Sequence, residues 1–218
     1  MYKNACECVT KVDAEYPDNK LSGAAFEVYR DNNANGILDD GDMLIGSLSE
    51  SKTGVYEMLD LRYGHYLIKE TVAPEGFFLD EGLYSLFIER DGATYFVENK
   101  TDIGFINEAM KGSLKIVKAS DDGKVEGFSF RITGPDGFDI ILKTDKNGEI
   151  IIEGLRIGEY TVSEIKNEMT EGYILPSDKA AVVVVNETVT VAIHNERKPE
   201  ITVVLFFGSD QQLLLSAR

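Results

Sequence analysis

The chain has 218 residues, 43% of them hydrophobic, with ten Tyr, eleven Phe and no Trp, which is enough to pack a core and argues against disorder throughout. Lys and Arg number 22 against 38 Asp and Glu, and the formal net charge of −16 repels phosphate backbones and anionic membranes, so nucleic-acid binding is disfavoured. Two Cys and two His exclude a disulfide scaffold and a Cys/His zinc site, and no apolar run approaches the roughly 20 residues of a membrane span.

In chain order, the start from Met1 to Cys6 has no apolar signal core. The protein therefore stays inside the cell or is a piece of an exported chain. Cys6 and Cys8 lie two apart on one face of any strand, a spacing poorly suited to a disulfide, and read as free thiols. Short runs rich in Val, Ile, Leu, Tyr, Phe and Thr then alternate with Gly, Asp and Asn clusters, the composition and length of strands between turns. Predicted strands cover Ala25 to Tyr29, Tyr66 to Glu70, Tyr84 to Ile88, Thr94 to Val97, Leu114 to Lys118 and Ser129 to Thr133. Further ones cover Glu149 to Glu153, Tyr160 to Glu164, Ala181 to Val185 and Thr188 to His194. Ala73-Pro74-Glu75-Gly76 and Gly134-Pro135-Asp136-Gly137 read as turns, and Asp145-Lys146-Asn147-Gly148 as a tight hairpin, because Asn-Gly accepts positive φ. No segment sustains a 3.6-residue apolar period over three turns, so the fold class is all-β with at most short helical pieces.

An internal repeat organises the chain. Val9-Thr10-Lys11-Val12-Asp13 corresponds to Ile116-Val117-Lys118-Ala119-Ser120. The stretch from Leu61 to Glu70 matches that from Leu155 to Glu164, and Glu75-Gly76-Phe77 matches Glu171-Gly172-Tyr173. Each half closes on an Asn-Glu pair, Asn107-Glu108 or Asn195-Glu196. Two copies of one β domain are expected over 1–109 and 110–197, joined by a short linker near Met110-Lys111-Gly112 like beads on a semi-rigid string. The tail, 198–218, fits neither copy. Its apolar run from Ile201 to Phe207 is too short to span a bilayer, and it reads as the start of a truncated third domain, a strand docked elsewhere or a sequence artefact.

Three residues recur at matched places: Lys11, Glu70 and Asn107, then Lys118, Glu164 and Asn195. Strand alternation puts all six on the apolar faces of their strands. Lys11 shares a face with Val9, Glu70 with Tyr66 and Ile68, and Asn107 with Phe105 and Ile103. Lys118 shares one with Leu114 and Ile116, Glu164 with Tyr160 and Val162, and Asn195 with Val191 and Ile193. The same rule points Lys115 outward. Burying such groups without partners costs several kcal/mol each, and placing them together is the remedy. A buried Lys gives up its proton readily and becomes a nucleophile; a buried Glu holds a proton and can pass it on. The product is an isopeptide bond between Lys and Asn side chains, made once per domain, with no cofactor. Merely hydrogen-bonded core residues, or an unreacted Lys–Glu pair, are the alternatives.

Over residues 1–197 each half resembles the B-type repeat of collagen adhesins, the prealbumin-like domain of Gram-positive pilins and surface adhesins. The most specific likeness is Ile68-Lys69-Glu70-Thr71-Val72-Ala73-Pro74-Glu75-Gly76-Phe77, similar to that family's Glu-Thr-x-Ala-Pro-x-Gly-aromatic strand and turn. The resemblance implies two tandem Ig-like β-sandwiches. It implies Lys11 and Lys118 as reactive lysines, Glu70 and Glu164 as catalytic acids, and Asn107 and Asn195 as acceptors. The second copy departs from the pattern, with Ile165-Lys166-Asn167-Glu168-Met169 in place of Thr-x-Ala-Pro.

The first copy also carries an insertion. Counting from Asp31, oxygen-bearing side chains fall at positions 1, 3, 5 and 9 (Asp31, Asn33, Asn35, Asp39), with Gly36 at 6, the Ile37 carbonyl at 7 and Asp42 at 12. This is EF-hand loop spacing, with Asp where Glu is usual, and it resembles the Asp-x-Asn-x-Asn-Gly loops of bacterial surface β domains. Calcium is the expected ion, and an ion-free Asx-rich loop the alternative.

The expected function is that of a structural stalk module of a cell-wall adhesin or pilin, locked by isopeptide bonds and flanked by further domains of its parent chain. The alternative is an adhesin module that grips a host extracellular-matrix protein or glycan. An enzyme with turnover is argued against by the lack of a second catalytic set. The resemblance implies export to the cell surface without membrane insertion. The missing signal peptide and Leu-Pro-x-Thr-Gly anchoring motif then suggest a fragment.

Overall fold

In the computed structural model, which describes residues 5–90, 92–99, 104–199, 206–207 and 213–214, the apolar runs form strands and the Gly, Asp and Asn clusters form the turns between them. The chain divides into two units, Met1–Met110 and Lys111–Arg218. The first holds β1 (Ala5–Asp13), β2 (Ala25–Arg30), β3 (Met43–Ser47), β4 (Ser49–Lys52), β5 (Val55–Leu61), β6 (Gly64–Val72), β7 (Leu83–Ile88), β8 (Thr94–Phe96) and β9 (Phe105–Asn107). One of its sheets runs β4-β5-β1-β8, with β9 also on β1, and the other runs β3-β2-β6-β7.

The second unit holds β10 (Lys111–Ser120), β11 (Ser129–Thr133), β12 (Asp139–Lys143), β13 (Glu149–Arg156), β14 (Gly158–Glu164), β15 (Tyr173–Ile174), β16 (Lys179–Val183) and β17 (Thr188–Arg197). Its sheets run β13-β10-β17-β15 and β12-β11-β14-β16. The helical content of the described residues is two single turns, Pro135–Gly137 and Glu168–Thr170.

Each unit is a β-sandwich whose core comes from both sheets. Val9, Tyr56 and Phe105 face Phe26, Val28 and Ile68 in the first, and Leu114, Ile116 and Ile193 face Phe130, Tyr160 and Val162 in the second. Each such side chain contributes roughly 1.5–3 kcal/mol by leaving water. Phe26 is the hub of the first core, edge-on to Tyr56 at 5.4 Å and to Phe105 at 5.1 Å. In β10 the alternation is complete, with Gly112, Leu114, Ile116 and Lys118 buried and their neighbours partly exposed.

In both units the first strand lies parallel to the last. Lys11 is opposite Phe105 and Asp13 opposite Asn107; Lys118 is opposite Ile193 and Ser120 opposite Asn195. Parallel neighbours cannot be joined by a tight turn, so the whole domain is the connection between them.

The Asp145–Gly148 turn forms, with Gly148 N–H on Asp145 O at 2.9 Å, but it does not close a hairpin. β12 pairs with β11 and β13 with β10, so the chain crosses here from one sheet to the other. The local signal specifies the bend; burial of Ile150 on β13 against the core decides which strand follows it. Cys8 is buried, while the Cys6 side chain, Ile103 and nearly all of Ile201 to Phe207 lie outside the described residues.

Candidate functional site

Each recurrent lysine is fixed first through its backbone. Lys11 N–H donates to Gly54 O at 2.7 Å, and Lys118 N–H to Gly148 O at 2.8 Å. Both glycines have positive φ (+65° and +80°), and a Cβ on either would fall within 2.9 Å of the lysine carbonyl oxygen. Glycine is thus required where a turn presses on the strand that carries the amine.

In the first unit the Lys11 side chain runs inward on the face of β1 that meets Phe105, and its Nζ sits 4.4 Å from that ring's centroid. It donates to Asn107 Oδ1 and lies 3.2 Å from Glu70 Oε1. Glu70 comes from β6 in the facing sheet and reaches across the sandwich. Its two oxygens accept from Asn107 Nδ2 at 3.1 and 3.0 Å, and Oε2 also accepts from Asp80 N–H at 2.8 Å. Lys11 and Glu70 are wholly buried and Asn107 is 2% exposed. Burial lowers the Lys11 amine to about 8, although the Glu70 charge and hydrogen bond pull the other way.

The second unit brings the same three residues together less tightly. Lys118 Nζ lies 4.7 Å from the Phe128 ring centroid and 3.9 Å from Glu164 Oε1, and donates to Ala119 O at 2.7 Å. Asn195 Nδ2 donates to Glu164 Oε1 at 2.8 Å. Among the described residues, Glu164 Oε2 and Asn195 Oδ1 are the buried side-chain polar atoms without a hydrogen-bond partner. Burial lowers the Lys118 amine against the pull of Glu164 and Asp122. It raises the Glu164 carboxyl against Asn195 and Lys118, so both groups are pushed toward their neutral forms.

The prealbumin-like fold domain family named SpaA matches residues 8–102 and 112–197, which is most of the chain. The chain belongs to that family. Its two prealbumin-like units also resemble solved structures. One is the Bacillus anthracis TIE protein, at 23% identity and a TM-score of 0.67, covering 88% of this chain and 34% of that one. Another is the C-terminal fragment of the pilus adhesin SpaC from Lactobacillus rhamnosus GG, at 14% identity and a TM-score of 0.56, covering 93% of this chain and 100% of that one. At these identities the likeness is one of fold. The chain spans about a third of the TIE protein. Comparison with curated protein sequences gives no match.

In both prealbumin-like units the turn after the glutamate strand ends by docking an aromatic residue on the end of the last strand. Phe77 bridges to Ala109, and Tyr173 pairs with Arg197. The departure in the second copy changes how this turn is built. Asn167 caps a single helical turn, its side chain accepting from Met169 N–H at 3.0 Å while Thr170 Oγ1 accepts from Asn167 N–H at 2.8 Å. Lys115 points outward and pairs with Glu149 at 2.6 Å.

The 31–42 insertion folds on its own side chains. Asp31 is buried and accepts from Asn35 N–H at 3.2 Å and Gly36 N–H at 2.9 Å; Asn33 and Asn35 accept from Asn35 N–H and Ile37 N–H. Asp42 accepts from Asn32 and Asp39 N–H at 3.1 and 3.0 Å. Asn33 and Asn35 turn their amide nitrogens, not their oxygens, toward Asp39 Oδ2, at 3.0 and 2.9 Å. No group of three or more His, Cys, Asp or Glu side chains among the described residues is gathered as metal ligands.

Residues that sequence reasoning passed over are Gly54, Asp80, Tyr84 and Asn99. Only the first had a readable signal, since Thr53-Gly54 stands in the place of Asn147-Gly148.

Proposed function

We propose that the chain is a pair of structural modules from a Gram-positive cell-surface pilin or adhesin, each closing itself with an isopeptide bond, Lys11 to Asn107 and Lys118 to Asn195. The module is extracellular and works within a longer parent chain. The observation that carries this reading is that one carboxylate, Glu70, touches both the amine and the leaving nitrogen inside a dry core.

The chemistry follows from those contacts. The neutral Lys11 amine attacks Asn107 Cγ. Glu70 takes one proton from the newly bonded Nζ and passes it to Asn107 Nδ2, the Cγ–Nδ2 bond breaks, and one ammonia leaves while Nζ keeps a single hydrogen in the new amide. Fixed proximity supplies much of the rate, and exclusion of water protects the carboxamide from hydrolysis. In the second unit, turning the Asn195 carboxamide over would bring Oδ1 to Glu164 Oε1, where the protonated carboxyl could donate to it and give that unpartnered oxygen, which costs about 1–3 kcal/mol as it stands, a hydrogen bond.

Intact mass after complete synthesis should fall short of the sequence mass by two ammonias, and a full sequence mass would sink the proposal. Because the amine must be neutral to attack, the first bond should form faster as pH rises toward about 8 and level off above it. Time-resolved intact mass of freshly synthesised chain, across a pH series, measures this; a flat profile would remove Lys11 as the nucleophile.

We also assign calcium to the 31–42 loop, with Asp31, Asn33, Asn35, Asp39, Asp42 and the Ile37 carbonyl as ligands. Binding would require the Asn33 and Asn35 carboxamides to turn over and present oxygen. Four Asp side chains with no Lys or Arg between them favour a divalent cation. Calorimetry on chelator-treated protein should give a saturable heat that Asp31→Asn removes, and no heat would leave the loop as an Asx-rich turn.

A further inference from the structure

The two units differ in how they hold the acceptor. Asn195 sits on a continuous ten-residue strand, β17. In the first unit the matching strand is split into β8 and β9, and Asn107 ends a segment of three residues. So short a strand is poorly anchored by its ladder alone.

Asn99 supplies a second anchor. Its Nδ2 donates to Ile106 O at 2.7 Å and its Oδ1 accepts from Ile106 N–H at 2.8 Å, so one carboxamide takes the place of a neighbouring strand. The same Nδ2 donates to Asp80 Oδ2 at 2.6 Å. Asp80 in turn accepts from Gly82 N–H at 2.7 Å and from Tyr84 Oη at 3.0 Å, and its own N–H reaches Glu70 Oε2. Burial pushes the Asp80 carboxyl up, but the bonds from Asn99, Gly82 and Tyr84 outweigh it and keep it an anionic acceptor. Burial and that carboxylate push the Tyr84 hydroxyl up to about 12, so it stays a donor. An unbroken chain of hydrogen bonds runs from Glu70 through Asp80 and Asn99 to the residue beside Asn107.

The second unit is an internal control. Asp80 lies three residues after Phe77, and three residues after Tyr173 comes Pro176 (80 − 77 = 176 − 173 = 3). Proline has no N–H to give. Glu164 Oε2 is the oxygen left without a partner there, and Lys118 turns to its neighbour's carbonyl instead of to Asn195.

We infer that Asp80 and Asn99 are positioning residues for the first unit's bond, a clamp that holds Glu70 and Asn107 in reach of Lys11 and that the second unit lacks. The inference rests on the isopeptide reading above. Neither side chain touches the reacting atoms; Asp80 acts through Glu70, and Asn99 through the backbone of Ile106.

The test uses the full chain, made by cell-free synthesis and sampled over time, with the two cross-linked peptides quantified from the same molecules. The second unit then serves as the clock. Asn99→Ala should slow the Lys11–Asn107 linkage by about 10- to 100-fold, the cost of a small misplacement, and leave Lys118–Asn195 at its parental rate. Asp80→Pro, which removes the N–H on Glu70 Oε2 and the acceptor of Asn99 Nδ2, should slow the same linkage, and Asp80→Asn, which keeps the N–H and an acceptor oxygen, should bring it back toward the parental rate; a purely structural loss would not be rescued in this way. If Asn99→Ala or Asp80→Pro prevents folding, Tyr84→Phe decides, because it loosens Asp80 while keeping the ring that packs edge-on against Phe105 of β9: slower linkage supports the clamp and a parental rate overturns it. Parental rates in Asn99→Ala and Asp80→Pro overturn the clamp and leave the bond standing. No first-unit linkage in the parent chain overturns both.

Discussion

Replacing Glu70 with Gln should leave the chain one ammonia heavier than its parent and strip the first unit of its cross-link. Gln fills the same space and can still hydrogen-bond to Asn107 Nδ2 through its carbonyl, but it cannot take the proton from Lys11. The bond it prevents joins residues 96 apart. Closing a loop of that size restricts the unfolded chain by about 4–5 kcal/mol in the entropic account used for disulfides. For a unit of this size that is a fall in Tm on the order of 20 °C. Calorimetry should show the first unit's transition moving down while the second unit's stays put. A variant that still loses ammonia from the first unit would show that Glu70 is not the proton carrier.

The second large effect is mechanical. In each unit the linked residues sit on the first and last strands, which run parallel, so tension applied at the two ends of a unit loads those strands in shear. With the bond in place the load passes from Lys11 to Asn107, or from Lys118 to Asn195, and the residues between carry none. In the Glu70→Gln/Glu164→Gln double variant only backbone hydrogen bonds and packing resist. Pulling should then release the trapped chain in two steps, roughly 330 Å from the 96 residues of the first unit and roughly 260 Å from the 77 (195 − 118) of the second, at about 3.4 Å per residue. The parent should show neither step at forces that unfold the variant. Equal extension in parent and variant would remove the locked-module reading.

Much of this was legible before any coordinates. The period-two pattern that put Lys118 in line with Leu114 and Ile116, and Asn195 with Val191 and Ile193, is followed residue by residue in β10 and β17. A buried polar or charged side chain is expensive enough that six of them, four ionisable and two amides, at matched places demand a shared explanation. Less was legible where polarity hid the strand. β4, Ser49–Lys52, is exposed at every position and carries no apolar pattern, so its place at the sheet edge comes from pairing with β5 alone. The Asp145–Gly148 turn is the converse case, a clear local signal whose partners are set elsewhere.

The residues alone determined the all-β class, the tandem repeat and which six side chains must be buried, because each depends on local periodicity and composition. Only the folded structure decided that Glu70 bridges amine and acceptor in one unit while Glu164 keeps an unpaired oxygen in the other. That difference turns on one N–H contributed ten residues along the chain in the first unit and on a proline in the corresponding place in the second. Whether such a donor reaches a carboxylate is a matter of loop path across the sandwich, which no pattern of neighbours along the chain encodes.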